Sequence, residues 1–301
     1  MNYEHYKIFY TVGKHKNITR AAAELLSSQP AVTRVIHSIE AELGCQLFIR
    51  SKNGVEFTRE GEDLFHLLET PFNLLNRVDQ DIHKTAGRNM QTIHIGTTTT
   101  ALQCFLLDFL DGFRNSHKQI NIKIYTGSSS QMVLKLRSGE IDLVFNTTPF
   151  SETQELSVTP VCSFQDILVA GPAFTELNGK RVSLSDLVEY PFILLSHGMQ
   201  YRKFCDNIFY KYGIHMTPAM EADNSGLIIP MVKHNLGIAF VPEDMAVDSI
   251  KRGEMFPVLL KEAISKRHIA LVCDPHRPMP NIVSLLYHAA VNRRDEGANP
   301  L

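Results

Sequence analysis

The chain has 301 residues, 44% of them hydrophobic, and a formal net charge of −2. That suits two or three globular domains, and no apolar run reaches the roughly 18 residues of a membrane span. The opening MNYEHYKIFY lacks the apolar core of a signal peptide, so a cytoplasmic protein is expected; the five cysteines are scattered without a CxxC and read as buried free thiols.

Residues 1–13 read as a helix that turns Tyr6, Phe9 and Tyr10 toward a core. Asn17 or Thr19 can cap the next helix. That helix carries Ala21, Ala22 and Ala23, small enough for a close helix crossing, followed by Leu25. The pair Ser27-Ser28 breaks it, and a further helix runs from Gln29-Pro30-Ala31 to Leu43. Pro30 fits the first turn, where its missing N–H costs nothing, and Gly44 supplies the left-handed residue of a helix end. Val32, Ile36, Ile39 and Leu43 form the predicted buried stripe. Gln29, Thr33 and Arg34 cluster near the first turn, where Gln can pair with adenine and Arg with guanine or phosphate. Residues 47–49 and 55–57 read as two short strands, with Arg50 and Lys52 near the turn between them, placed to meet phosphate. Two helices joined by a tight turn set the second in a DNA major groove. Residues 1–60 carry 8 Lys/Arg against 6 Asp/Glu, so the small basic excess lies on this segment.

Phe9, Thr19-Arg20-Ala21-Ala22, Leu25, Ser28-Gln29-Pro30-Ala31-Val32-Thr33, Ile36, Ile39-Glu40, Leu43-Gly44, Leu47-Phe48, Arg50, Thr58 and Gly61 together resemble the N-terminal signature of LysR-type transcriptional regulators. The resemblance implies an α+β multidomain chain: a winged helix-turn-helix over 1–58, a linker helix over 59–87 and a two-lobed effector-binding domain over 92–301. It implies DNA contact through Thr19, Ser28, Gln29, Pro30, Ala31, Thr33, Arg34, Arg50 and Lys52. It also implies an interrupted palindromic operator, a homotetramer, contact with RNA polymerase, and a small-molecule effector with no other cofactor.

Thr58 can cap the linker helix. Leu64, Leu68, Pro71, Leu75, Val78 and Ile82 recur at heptad spacing, which predicts a two-stranded seam and hence a homodimer. Pro71 is expected to kink the helix or delay its start. From Thr92 the pattern alternates: strands over 93–95, 120–125 and 141–145, with helices between them, predict a parallel sheet with right-handed crossovers. Strands over 167–170, 192–195, 219–221 and 238–241 and helices over 199–212 and 225–234 predict a second lobe, about 163–267. A strand over 270–272 and a helix over 281–293 return the chain to the first lobe, with crossings near Cys162 and Arg267.

Open parallel sheets bind ligands beyond the carboxyl ends of their strands. The residues there are Thr97-Thr98-Thr99-Thr100, Asn146-Thr147-Thr148, Ser196-His197 and Asp223-Asn224-Ser225. These loops are rich in hydroxyls and amides and precede helices whose free N–H groups suit an anion. Thr98, Thr99, Thr100, Thr147, Ser196, His197, Asn224 and Ser225, with Arg202 as the nearby cation, are therefore the candidate contacts of a small, polar, anionic effector. The family resemblance favours Thr98, Thr100 and Thr147 most. An enzyme is not expected, since no G-x-G-x-x-G, P-loop, G-x-S-x-G or H-E-x-x-H occurs. No metal site is expected either. A solute-binding protein would fit 92–301 but not the N-terminal module.

Overall fold

The computed structural model describes residues 1–51, 54–85, 91–151 and 153–297. The chain divides into two compact units, the first built on residues 1–88 and the second on residues 89–136 and 141–301.

In the first unit, α1 (Tyr3–His15) is capped by Asn2, whose side chain accepts from the His5 amide. α2 (Ile18–Glu24) is capped by Asn17 rather than Thr19, the Asn17 side chain accepting from the Arg20 amide. α3 (Gln29–Leu43) starts at Ser28, with Pro30 in its first turn, and ends at Gly44 with φ +71°. β1 (Phe48–Ser51) and β2 (Gly54–Phe57) pair antiparallel, Phe48 opposite Phe57. Phe9, Val12, Ala21, Ala22, Val32, Ile36, Ile39 and Leu47 make the core. Two expected core positions differ: Ala23 is exposed, so the close helix crossing rests on Ala21 and Ala22 alone, and Leu43 lies exposed in the last turn of α3. Glu40, partly buried on α3, accepts from the amides of Leu47 and Phe48 at 2.8 and 3.2 Å and so fixes the approach to β1.

α4 (Arg59–Thr85) begins where Thr58 Oγ1 accepts from the Gly61 amide. Gly61 is required there, because a Cβ would come within 2.0 Å of the Leu47 carbonyl oxygen. Pro71 lies inside α4 and does not delay its start. The carbonyl it leaves unmatched belongs to Leu67, which is 76% exposed, so water can take the missing partner's place. The predicted column divides between the unit's own core and solvent. Leu64 and Leu68 pack on the unit's own core, beside Phe65 and Phe72, which stack on Tyr10. Pro71 and Leu75 of that column are exposed, and Leu67 and Leu74 add further exposed apolar surface. The side chains of Val78 and Ile82, and the predicted helix end at Ala86, lie outside the described residues.

The second unit opens with β3 (Gln91–Thr97), α5 (Thr99–Ala101), a π turn (Leu102–Leu106) and α6 (Leu107–Ser116). β4 (Ile120–Thr126), α7 (Ser129–Arg137), β5 (Leu143–Thr147) and β6 (Ser157–Phe164) follow. The second lobe contains β7 (Asp166–Ala170), β8 (Arg181–Val182), β9 (Ile193–Leu195), α8 (Gln200–Lys211), β10 (Met220–Ala222) and α9 (Ile228–Lys233). It continues with β11 (Ala239–Pro242), α10 (Glu243–Lys251) and β12 (Phe256–Leu260). β13 (Arg267–Cys273) and α11 (Asn281–Gly297) complete the unit.

The first lobe's sheet runs β4-β3-β5-β13-β6. β3, β4 and β5 are parallel, as their crossover helices require, whereas β13 is antiparallel to both β5 and β6. The sheet is therefore mixed rather than wholly parallel, because β13 arrives from the other lobe and needs no crossover. Its core, with Ile93, Leu106, Phe145, Ile269 and Leu286, is covered by α6 and α11. The second sheet runs β11-β7-β12-β8, and a bridge between Phe192 and Ile238 joins it to β10-β9. The chain passes from the first sheet to the second at Gln165, between β6 and β7, and returns at the start of β13, Arg267 opposite Phe164.

Candidate functional site

Two surfaces collect the residues singled out in the sequence. On the first unit, the end of α2 and the start of α3 stand in solvent. Ser28, Gln29, Pro30 and Arg34 are exposed, Thr19 is exposed at the start of α2, and Ala31 and Thr33 are half-buried. Ser28 Oγ accepts from the Ala31 amide at 3.4 Å, so the cap also orients the turn. Arg34 Nε reaches only the Pro30 carbonyl, at 3.3 Å, leaving the rest of its guanidinium to an outside partner. The turn between the helices is closed by Leu26 in a left-handed conformation, φ +49°. The amides of Leu26 and Ser27 bond back to Ala23 and Ala22. Arg50 belongs to β1 but its side chain lies outside the described residues, as does Lys52 altogether.

In the second unit, a cleft of 530 Å³ opens between the lobes. Thr98, Thr99, Thr100 and Thr147 of the first lobe and Ser196, His197, Asn224 and Ser225 of the second all line it. Thr98, Thr100 and Thr147 are buried. Thr98 Oγ1 caps α5 by accepting from the Ala101 amide at 3.2 Å. Side-chain hydrogen bonds that cross between the lobes include Thr99 Oγ1 to Asn224 Oδ1 (3.1 Å), Thr100 Oγ1 to Ser225 Oγ (3.3 Å) and Gln200 Nε2 to Ser151 Oγ (2.7 Å).

Arg202 is a correction. It does not line the cleft. It is buried, with Nε on Asp206 at 2.8 Å and Nη1 on Glu221 at 2.6 Å and on the Leu195 carbonyl at 3.1 Å. That bond holds the Glu221 carboxyl below the usual range. The captured guanidinium staples β9, β10 and α8 and has no charge to offer a ligand. Asp206, one helical turn away on α8, was the sequence sign of that capture.

The cation that does line the cleft is Arg267, known from the sequence only as a lobe crossing. It is 4% exposed, with Nε on the Thr148 carbonyl at 2.6 Å and Nη1 on Asp166 Oδ2 at 3.1 Å. Its guanidinium carbon lies 4.5, 5.0 and 5.1 Å from the ring centroids of Tyr201, Phe164 and Phe204. Burial pushes the Asp166 carboxyl up against the downward pull of Arg267, and burial beside Asp166 raises the Tyr201 phenol well above its ordinary value. Sequence reasoning also missed residues 126–131, at and after the end of β4, which line the cleft with three serines and Gln131. The rule of reading strand ends would have found them, had it been applied to that strand. Burial lifts the thiols of Cys104 and Cys205 to about 12, so neither is a thiolate near neutral pH. No group of His, Cys, Asp and Glu suited to a metal occurs among the described residues.

Residues 3–62 match the family model of the bacterial regulatory helix-turn-helix protein, lysR family, and residues 86–294 match that of the LysR substrate binding domain. The HTH-type transcriptional regulator BenM of Acinetobacter baylyi is 27% identical over 278 residues, covering 90% of each chain. Among solved structures, full-length CbnR complexed with its target DNA superposes with a TM-score of 0.70 at 20% identity, over 99% of this chain and 100% of that one. The effector binding domain of QuiR in complex with shikimate matches 68% of this chain and 97% of its own, with a TM-score of 0.61 at 16% identity. The two family models match the start of the first unit and nearly all of the second, and the chain belongs to the LysR family: it is a DNA-binding transcriptional regulator with an effector-binding domain, and not an enzyme.

Proposed function

We propose that this regulator reads an interrupted palindrome in double-stranded DNA as a homodimer joined by its linker helix, assembles further to a homotetramer, and communicates with RNA polymerase. In this reading residues 1–58 bind DNA, residues 59–87 join two copies, and residues 92–301 hold a small, polar, anionic effector between their lobes. Thr19, Ser28, Gln29, Pro30, Ala31, Thr33 and Arg34, with Arg50 and Lys52 of the wing, contact DNA. Thr98, Thr99, Thr100, Thr147, Ser196, His197, Asn224 and Ser225 contact the effector. The effector must bind one arrangement of the lobes better than another, since only differential affinity shifts an equilibrium.

The observation that carries the DNA reading is the solvent-facing first turn of α3, where Ser28, Gln29 and Arg34 stand exposed on a helix whose opposite face is core. The CbnR complex with its target DNA supports it by fold. The test is DNase footprinting on the DNA upstream of this protein's own gene, at fixed salt, with wild type and Arg34→Ala. A dyad-symmetric protected site is expected, weakened by about 1–3 kcal/mol in the variant. Equal protection by both proteins would remove Arg34 from the interface.

A further inference from the structure

α3, the helix read as contacting DNA, carries little positive charge for a polyanionic partner. It holds one arginine, Arg34, against two glutamates, Glu40 and Glu42, and one histidine, His37. His37 follows Thr33 by four residues and Arg34 by three, so it shares their side of the helix. That side lies away from the buried stripe of Val32, Ile36 and Ile39. The His37 side chain is 67% exposed.

The ring is nevertheless oriented. His37 Nδ1 lies 3.3 Å from Glu40 Oε2. Glu40 is itself held, its Oε1 accepting from the amides of Leu47 and Phe48 at 2.8 and 3.2 Å. A carboxylate oxygen accepts, so Nδ1 is the nitrogen that donates. Nε2, on the far side of the imidazole, is left to solvent or to DNA. In the neutral ring that nitrogen is an acceptor; in the imidazolium it is an N–H donor carrying positive charge. The charged groups beside His37 on α3 are Arg34, one turn earlier, and Glu40. Among the described residues, no charged group of α1 or α2 pairs with it: Lys14 and His15 pair with Glu24, and the Met1 amino group with Glu42. A duplex brings negative charge to this side of α3, which favours the imidazolium in the bound state.

We propose that His37 is a protonation-dependent DNA contact: as the imidazolium it donates Nε2–H to an acceptor on the duplex, a phosphate oxygen or a guanine edge, while Glu40 holds its other nitrogen. This rests on reading α3 as the helix that contacts DNA. Binding through the imidazolium takes up a proton, so affinity falls as pH rises through the range in which histidine changes charge. Arg34, Glu40 and Glu42 leave α3 with one negative charge in excess, which the imidazolium cancels.

The test measures binding of the full-length protein to two duplexes, one from upstream of its own gene and one of the same composition in scrambled order. Anisotropy titrations are run at about pH 6 and about pH 8 over a series of salt concentrations. Wild type is expected to bind the upstream duplex about tenfold more tightly at the lower pH. His37→Gln should remove that difference, and His37→Arg should keep the tighter binding at both pH values. Arg34→Ala should weaken binding at both and leave the ratio in place. A phosphate contact gives the scrambled duplex the same ratio and makes the salt slope steeper by about 0.9 per protomer at the lower pH. A guanine contact confines the ratio to the upstream duplex and loses it when one G·C pair of the protected half-site becomes A·T. Wild-type affinity equal at both pH values, or a ratio that survives in His37→Gln, would overturn the proposal. The DNA reading of α3 would still stand if Arg34→Ala weakened binding. Failure of wild type to bind either duplex at low salt would overturn both.

Discussion

At Leu26 the chain accepts a conformation that leucine disfavours. It is the left-handed residue that ends α2, at φ +49°, and it is 96% exposed, so no packing repays the strain. Glycine at this position satisfies the same two backbone bonds without a Cβ clash. Leu26→Gly should therefore stabilise the protein by about 0.5–1 kcal/mol, read as a higher midpoint in thermal unfolding followed by circular dichroism. A midpoint lowered by the same amount would show that the turn is not left-handed at this residue. Gly61 is the reverse case: its missing Cβ is needed by the Leu47 carbonyl rather than by a dihedral. Arg202 and Arg267 give a further residue-scale contrast. Both are buried arginines in the second unit, but the first pairs with two carboxylates, Asp206 and Glu221, and the second with one, Asp166.

Among the elements, α4 has the strongest unmet apolar demand. Leu67, Leu74 and Leu75 are 76%, 38% and 45% exposed, and Leu74 and Leu75 lie about two turns beyond Leu67 on the helix. A second copy of α4 is the proposed cover. Leu67→Lys with Leu74→Lys places like charges in that seam and removes apolar burial from both copies. Sedimentation equilibrium should show dimer dissociation strengthened by at least about a hundredfold; an unchanged association constant would move the dimer interface off α4. The helices of the first unit were legible because caps and apolar spacing agree: Ser28 and Gly44 bound α3, and Val32, Ile36 and Ile39 fill its buried face. Leu64 and Leu68 were assigned to the seam because heptad spacing cannot tell a partner's core from the chain's own, which is the core they serve. β6 was missed because Pro160 interrupts it. That proline is tolerated on an edge strand, at the register shift between Ile269 and Ala270. α10 was missed because its nine residues bury only Ala246 and Ser249, too little to make a stripe. Most of the candidate cleft was readable, since each loop follows a strand. Arg267 was not, because 101 residues separate it from Asp166 and only the lobe crossings bring the two together.

Across the effector-binding unit, the lobes are tied at the cleft by small polar groups in addition to the buried Arg267–Asp166 pair. Thr99 reaches Asn224 and Thr100 reaches Ser225, and each such bond contributes about 0.5–1.5 kcal/mol. That scale suits a switch: strong enough to favour one arrangement, weak enough for a ligand's differential affinity to override it. The two ties lie beside the N-termini of α5 and α9, so loosening them should free both loops together. Thr99→Val with Thr100→Val removes both donors while leaving the Thr98 cap and the valines' β-branched shape in place. Hydrogen exchange of the ligand-free protein should then speed up in residues 97–102 of one lobe and also in residues 223–227 of the other, by about fivefold to a hundredfold for a loss of 1–3 kcal/mol. Exchange in residues 1–60 should not change. The amides of Ala101 and Gly226 are the most direct reporters, since each is bonded to a cap at its own loop, Thr98 Oγ1 and Asn224 Oδ1. Acceleration confined to residues 97–102 would mean that the substitutions damage one loop and that the lobes are not held by these bonds.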